Sequence, residues 1–141
     1  VMLGYWNQPD ETGRALRSGW LHSGDIGMVD DEGYVFIVDR VKDMINVSGF
    51  KVWPAEVEQF LYKHPAVQEV AVYGISHPEK GEMVVAAIVP KEAARVTAEE
   101  VVAYCRSHMA AYKAPARVDF LPELPKSATG KILKRTLRDK G

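Results

Sequence analysis

A chain of 141 residues, 47% apolar and 26% charged, has room for one domain, or one domain with a fragment of another, and can bury a core. Its net charge of −1 gives no general attraction to nucleic acid or an anionic membrane, and its longest apolar run, Met83 to Val89, falls far short of the ~20 residues a membrane-spanning helix needs. The single cysteine, Cys105, excludes an intrachain disulfide and suits a reducing, cytoplasmic setting.

No charged-then-apolar leader opens the sequence, so no secretory signal is expected; Val1-Met2-Leu3-Gly4-Tyr5 reads as the middle of a pattern. Residues 1 to 18 read as loop with a short helix around Asp10 to Arg17. Trp20 to Val29 reads as a strand interrupted at Ser23-Gly24-Asp25. A turn at Asp30-Asp31-Glu32-Gly33 then leads into a strand at Tyr34 to Val38, a hairpin pattern. The acidic cluster in that turn lacks the alternating carboxylates and twelfth-position Glu of an EF-hand loop, which favours a turn over a calcium site.

Four charged residues, Asp39, Arg40, Lys42 and Asp43, then cross between apolar stretches. Met44 to Val47 and Phe50 to Trp53 read as two short strands around Ser48-Gly49, where Gly49 permits positive φ or close backbone approach. Pro54 starts a helix, with Glu56 and Glu58 in its first turns. Val57, Phe60 and Leu61 recur at helical spacing, and His64-Pro65 stops the run. Val67 to Ile75 reads as a strand, His77 to Gly81 as a turn, and Met83 to Val89 as a second, fully buried strand. Thr97 and Glu100 form a capping box that opens a helix through about Met109. Its stripe of Val101, Val102 and Cys105 places the cysteine in a core and not at a reactive site. Lys113-Ala114-Pro115 breaks the pattern before a last strand, Arg117 to Leu121. This order of elements is α+β, a small sheet with helices packed on it. The four histidines, His22, His64, His77 and His108, lack metal-ligand spacing, so no zinc site is expected.

Gly130-Lys131 suggests a phosphate-binding P-loop, but that motif needs Gly at 125 and Ser or Thr at 132, where Pro125 and Ile132 stand. Lys126 reads as a surface charge. Lys134, Arg135, Arg138 and Lys140 read as the solvated face of a short basic helix.

Three stretches in order, Gly19-Trp20-Leu21-His22-Ser23-Gly24-Asp25, DRVKDMINVSGFKVWPAE from Asp39 to Glu56, and Pro125-Lys126-Ser127-Ala128-Thr129-Gly130-Lys131, resemble the adenylate-forming superfamily. That family includes acyl-CoA synthetases, peptide-synthetase adenylation domains and firefly luciferase. Gly4-Tyr5, Pro9 and Thr12 also match its pattern. The resemblance implies that residues 1–41 end a large N-terminal adenylation domain, a β-rich tail piece, and that 42–141 form a mobile C-terminal domain. It implies that Asp25, in a Thr-Gly-Asp element with Ser23 in place of Thr, holds the ATP ribose hydroxyls. Arg40 would touch the nucleotide with its planar fork of donors. Lys42 would be the hinge, and Lys51 would lie near the nucleotide phosphate. Ser48 and Gly49 would line the passage for the CoA pantetheine arm. Lys131 would be the catalytic lysine, placed between the acyl carboxylate and the α-phosphate. Asn46 stands where luciferase-like members carry a second lysine, which sets light-emitting chemistry aside.

The substrates so implied are ATP, CoA and a carboxylic acid, a medium- or long-chain fatty acid by the likeness of Val47 to Glu58 to fatty-acid ligases. Magnesium is expected with ATP but held by no residue of this chain. The implied partner is the N-terminal domain; no nucleic acid and no stable membrane insertion are expected, and a homo-oligomer is left open. The chain alone is expected to be inactive, since the glycine-rich phosphate loop and acyl pocket are not in it. Two other readings stand beside this one: a peptide-synthetase-type adenylation domain loading a carrier protein, and a non-catalytic α+β interaction module.

Overall fold

Two Ser-Gly dipeptides make the tightest reversals of the chain. In the computed structural model, which describes residues 1–139, Ser18 and Gly19 have φ of 52° and 80°, and Ser48 and Gly49 have 51° and 89°. Positive φ at both central residues is the mark of a two-residue hairpin turn whose twist matches that of its strands. The chain forms two compact units, Val1–Lys42 and Asp43–Gly141. Lys140, assigned to the basic tail, lies outside the described residues.

The first unit begins with α1 (Pro9–Ala15), opened by proline in its first turn. The helix ends short of Arg17 because Leu16–Arg17 leaves it as β1 and pairs, through the Ser18-Gly19 turn, with β2 (Trp20–Leu21). A second hairpin joins β3 (Asp25–Val29) to β4 (Val35–Arg40). The expected interrupted strand over Trp20 to Val29 is therefore two strands in two different hairpins. The carboxylate of Asp30 accepts hydrogen bonds from the amides of Glu32 and Tyr34, at 3.0 and 2.9 Å, so it serves the turn. Val35 and Ile37 on one face of β4, and Phe36 and Val38 on the other, are all exposed. A 3-10 turn, Val41–Asp43, follows.

The second unit is built on one long hairpin. Its strands are β5 (Ile45–Val47), β6 (Phe50–Val52), β7 (Val67–His77), β8 (Gly81–Pro90) and β9 (Arg117–Phe120), with helices α2 (Pro54–Leu61), α3 (Ala98–Arg106) and α4 (Lys134–Arg138). The sheet runs β6-β5-β8-β7, antiparallel throughout, and β9 joins β8 in parallel. β7 covers one edge of β8 along its whole length. On the other edge β8 meets β5 at Gly81 and β9 from Val85 to Ile88.

Alternation along β8 then sends side chains to two cores. Val84, Ala86 and Ile88 pack with Val57 and Leu61 of α2 and with Val101 and Cys105 of α3. Val85, Ala87 and Val89 pack with Leu124 and Leu137, and Ile132 joins them. Both faces are thus covered, which is why β8 reads as a continuous apolar run. The α+β architecture expected from the order of elements is met. Gly74 of β7 is where the hairpin meets β5: a Cβ there would come within 2.9 Å of Ile45 Cγ2.

The capping box at Thr97 is present in both directions, Glu100 N to Thr97 Oγ1 at 3.2 Å and Thr97 N to Glu100 Oε2 at 2.8 Å. α3 stops at Arg106, short of Met109; Ser107 turns its hydroxyl back onto the Tyr104 carbonyl at 2.9 Å, the local competition by which serine ends helices. Val102 is only half-buried, so the stripe is narrower than expected. No helix of the described residues is long and apolar enough to cross a membrane.

Cys105 is 0% exposed, and burial pushes its thiol up from 9.0 to about 11. The folded state keeps the proton longer than the unfolded state does. The thiol's contribution to stability is therefore complete below pH 9 and lost as pH rises through about 11. Expected at pH 8 is no reaction of the native chain with a thiol reagent and one equivalent of reaction in urea. Reaction under native conditions would remove Cys105 from the core.

Candidate functional site

In the first unit the structure brings Asp25 and Arg40 together. They are direct cross-strand partners at one end of the β3–β4 hairpin, and Arg40 Nε lies 3.1 Å from Asp25 Oδ1. A bulge between Ile26 and Gly27 sets this register. Gly24, at φ 77°, turns the chain into β3, and the Asp25 amide donates to Ser23 Oγ at 3.2 Å. Arg40 thus pairs with one carboxylate oxygen of Asp25. An open hollow of about 520 Å³ adjoins it, with Arg14, Arg17, His22, Asp25 and Lys42 among its lining residues. Its rim is cationic around one carboxylate, a charge pattern suited to a ribose carrying phosphates. Lys42 sits in the exposed 3-10 turn at the end of this unit.

In the second unit, Ser48, Gly49 and Lys51 share the β5–β6 hairpin, with Ser48-Gly49 at its tip and Lys51 exposed opposite Asn46. The Ser48 amide donates to the Lys80 carbonyl at 2.8 Å and the Gly49 amide to Asn46 Oδ1 at 3.0 Å. Beside the tip, Phe50 stacks on Tyr112 with ring centroids 4.6 Å apart.

Lys131 lies on a separate hairpin. Lys126 and Ile132 form an isolated antiparallel bridge, and Leu133 N donates to the Pro125 carbonyl at 2.8 Å. Within the loop, Ser127 N donates to the Lys131 carbonyl at 2.8 Å and Lys131 N donates to Ser127 Oγ at 3.1 Å. Gly130, at φ 81°, turns the chain just before the lysine. The Lys131 side chain is exposed and has no ion pair among the described residues. Its root is tied to β7 at one edge of the sheet, whereas Ser48, Gly49 and Lys51 belong to the hairpin at the other edge. The structure does not bring these two groups together.

Among the described residues, the other cations from Lys126 to Arg138 are paired. Lys126 Nζ lies 2.7 Å from Glu69 Oε1, Lys134 Nζ 2.8 Å from Glu58 Oε1, and Arg138 Nη2 3.2 Å from Asp43 Oδ1. Arg135 reaches Asp139 at 3.9 Å. Lys134 and Glu58 are only 20% and 18% exposed, so Lys134 is not part of a solvated face; Lys126 is the surface charge expected, though paired with Glu69. Sequence reasoning missed Glu58, Glu69 and Asp43 as partners because nothing local links residues that lie 57 to 95 positions apart, as Glu69–Lys126 and Asp43–Arg138 do.

Residues 56–131 match the family model for the AMP-binding enzyme C-terminal domain. The chain is 51% identical over 139 residues to a long-chain-fatty-acid–CoA ligase of Escherichia coli O6:H1, covering 99% of this chain and 25% of that protein. It is 46% identical over 138 residues to a feruloyl-CoA synthase of an Amycolatopsis species, covering 98% of this chain and 28% of that protein. Among solved structures, ATP-bound MatB from Rhodopseudomonas palustris matches with a TM-score of 0.95 at 35% identity, covering 99% of this chain and 28% of that one. The chain therefore spans about a quarter of the length of the curated relatives it matches.

Proposed function

The chain belongs to the AMP-binding enzyme C-terminal domain family, and from that premise we propose that it is the mobile C-terminal domain, with the end of the preceding domain, of an ATP-dependent acyl-CoA synthetase. Residues 1–41 finish the large adenylation domain and 42–141 form the part that turns. A hairpin such as β3–β4, apolar and bare on both faces, supports the first assignment, because large exposed apolar patches mark surfaces that a partner covers.

The reaction has two halves. A carboxylate attacks the α-phosphorus of ATP, forming acyl-AMP and releasing pyrophosphate. The CoA thiol then attacks the acyl carbon and releases AMP. Asp25 and Arg40 would hold the nucleotide, Arg40 orienting the carboxylate whose free oxygen accepts from the ribose hydroxyls. Lys131 would stabilise charge as the carboxylate approaches a phosphorus already ringed by negative oxygens. Rotation about Lys42, a charged residue in a short exposed turn, would exchange the Lys131 hairpin for the Ser48-Gly49 hairpin. Lys51 would lie near the phosphate. One observation carries this reading: Lys131 is exposed on a closed hairpin and is the one cation from Lys126 to Arg138 without an acidic partner among the described residues.

A medium- or long-chain fatty acid is the proposed acid, supported by the names of the long-chain relatives, and a cytoplasmic setting goes with it. The test is ATP–pyrophosphate exchange by the full-length parent over a panel of fatty and aromatic acids, then thioester formation with CoA. Expected are exchange with the fatty acids and no acyl-AMP from the 141-residue chain alone. Exchange confined to aromatic acids would overturn the substrate class, and acyl-AMP made by the isolated chain would overturn the division of labour.

A further inference from the structure

Lys131 must be delivered to one place, yet its hairpin spans only a few residues and its own side chain makes no ion pair among the described residues. Ile132 beside it packs against the second core, and an ionic contact on either side ties the hairpin to β7. On the N-terminal side Lys126, whose backbone closes the hairpin against Ile132, is bonded to Glu69 at 2.7 Å. On the C-terminal side Lys134 is bonded to Glu58, and the same Glu58 oxygen accepts from the Val72 amide at 2.7 Å. Both acids therefore bind the segment to β7, Glu69 from the strand itself and Glu58 from the helix that covers its outer edge.

Two features single out Glu69. The register of β7 against β8 shifts between Val67 and Glu69, and a bulge of this kind re-aims a side chain. Its second oxygen, Oε2, is buried without a hydrogen-bond partner among the described residues. A buried, unmatched carboxylate oxygen costs stability and is rarely retained without a reason. An apolar residue at 69 would avoid that cost but would take from Lys126 its partner at the root of the hairpin.

We propose that Glu69 is a positioning residue for Lys131: through Lys126 it sets the root of the lysine hairpin on β7, with Glu58 and Lys134 fixing the other flank. This rests on the reading of Lys131 as the lysine of the adenylation step. Glu69 touches no substrate; it acts through the placement of Lys131, so its loss harms the half-reaction that uses the lysine and spares the one that does not.

The experiment uses the full-length parent with Glu69→Gln, Lys126→Met, the double variant and Lys131→Ala. ATP–pyrophosphate exchange, thioester formation from supplied acyl-AMP and thermal stability are measured for each. Expected is a loss of exchange of about tenfold to a hundredfold in each single clamp variant, the scale at which a small misplacement acts. The double variant is no slower than the worse single one, because the two residues act as one unit. Thioester formation and melting temperature stay at the parental values. The proposal is overturned if exchange survives both single changes while Lys131→Ala abolishes it, if the losses multiply, or if both half-reactions fall together. Exchange untouched by Lys131→Ala is a separate result, which removes the reading of Lys131 itself and the clamp's purpose with it.

Discussion

Lys131→Ala in the full-length parent is expected to lower ATP–pyrophosphate exchange by about 10²–10³-fold, roughly 3–4 kcal/mol of barrier, while thioester formation from supplied acyl-AMP continues. The size follows from the charge. On the proposed reading two anions meet in a site from which water is being expelled, and a fixed ammonium there would act at lower dielectric than bulk water. The selectivity follows from the geometry. The Lys131 amide and carbonyl bond to Ser127, so the hairpin keeps its shape when the side chain is removed. Folding is therefore left alone and the change reports on chemistry. Unchanged exchange would reduce Lys131 to an exposed surface charge.

The second large effect is on stability. Ile88 is 0% exposed and sits where β8 is bonded on both edges, opposite Val70 of β7 and Phe120 of β9. Its side chain faces α2 and α3, whose buried residues leave little room to collapse into a void. Ile88→Ala should cost about 2–5 kcal/mol and Ile88→Val about 0.5–1.5 kcal/mol, read from the urea midpoint of the chain by far-ultraviolet circular dichroism. The denaturant slope should not change, since the surface exposed on unfolding is nearly the same. A loss under about 1 kcal/mol for the alanine variant would mean that the helices do not close over the sheet as described.

The two strands of the long hairpin were legible because each carries a dense apolar stretch, Val70 to Tyr73 and Met83 to Val89, and the start of α3 because Thr97 and Glu100 are a local device. Ser48-Gly49 announced its turn, but Ser18-Gly19, with the same φ pattern, passed as part of a loop because only two residues pair on each side of it. The second core was harder to foresee. α4 has five residues, and Leu137 gains its burial from strands far away in sequence, so charge dominated the local pattern. Lys131 stood out within its motif, and Asp25 and Arg40 stood out separately. That they are one ion pair depends on a bulged register, which no spacing rule supplies. The partners of Lys126 and Lys134 are likewise properties of the folded sheet.

The segment that bears Lys131 is also the cover of the sheet's second face, through Leu124, Ile132 and Leu137. Lifting that whole segment off would expose Ala71, Tyr73, Val85 and Ala87 to water together, an opening that strips one of the unit's two apolar cores. The lysine therefore cannot behave as a flap that samples in and out on the fast timescale of loops. On the proposed reading it would travel as cargo on a stiff body, arriving and departing at the pace at which that whole body reorients.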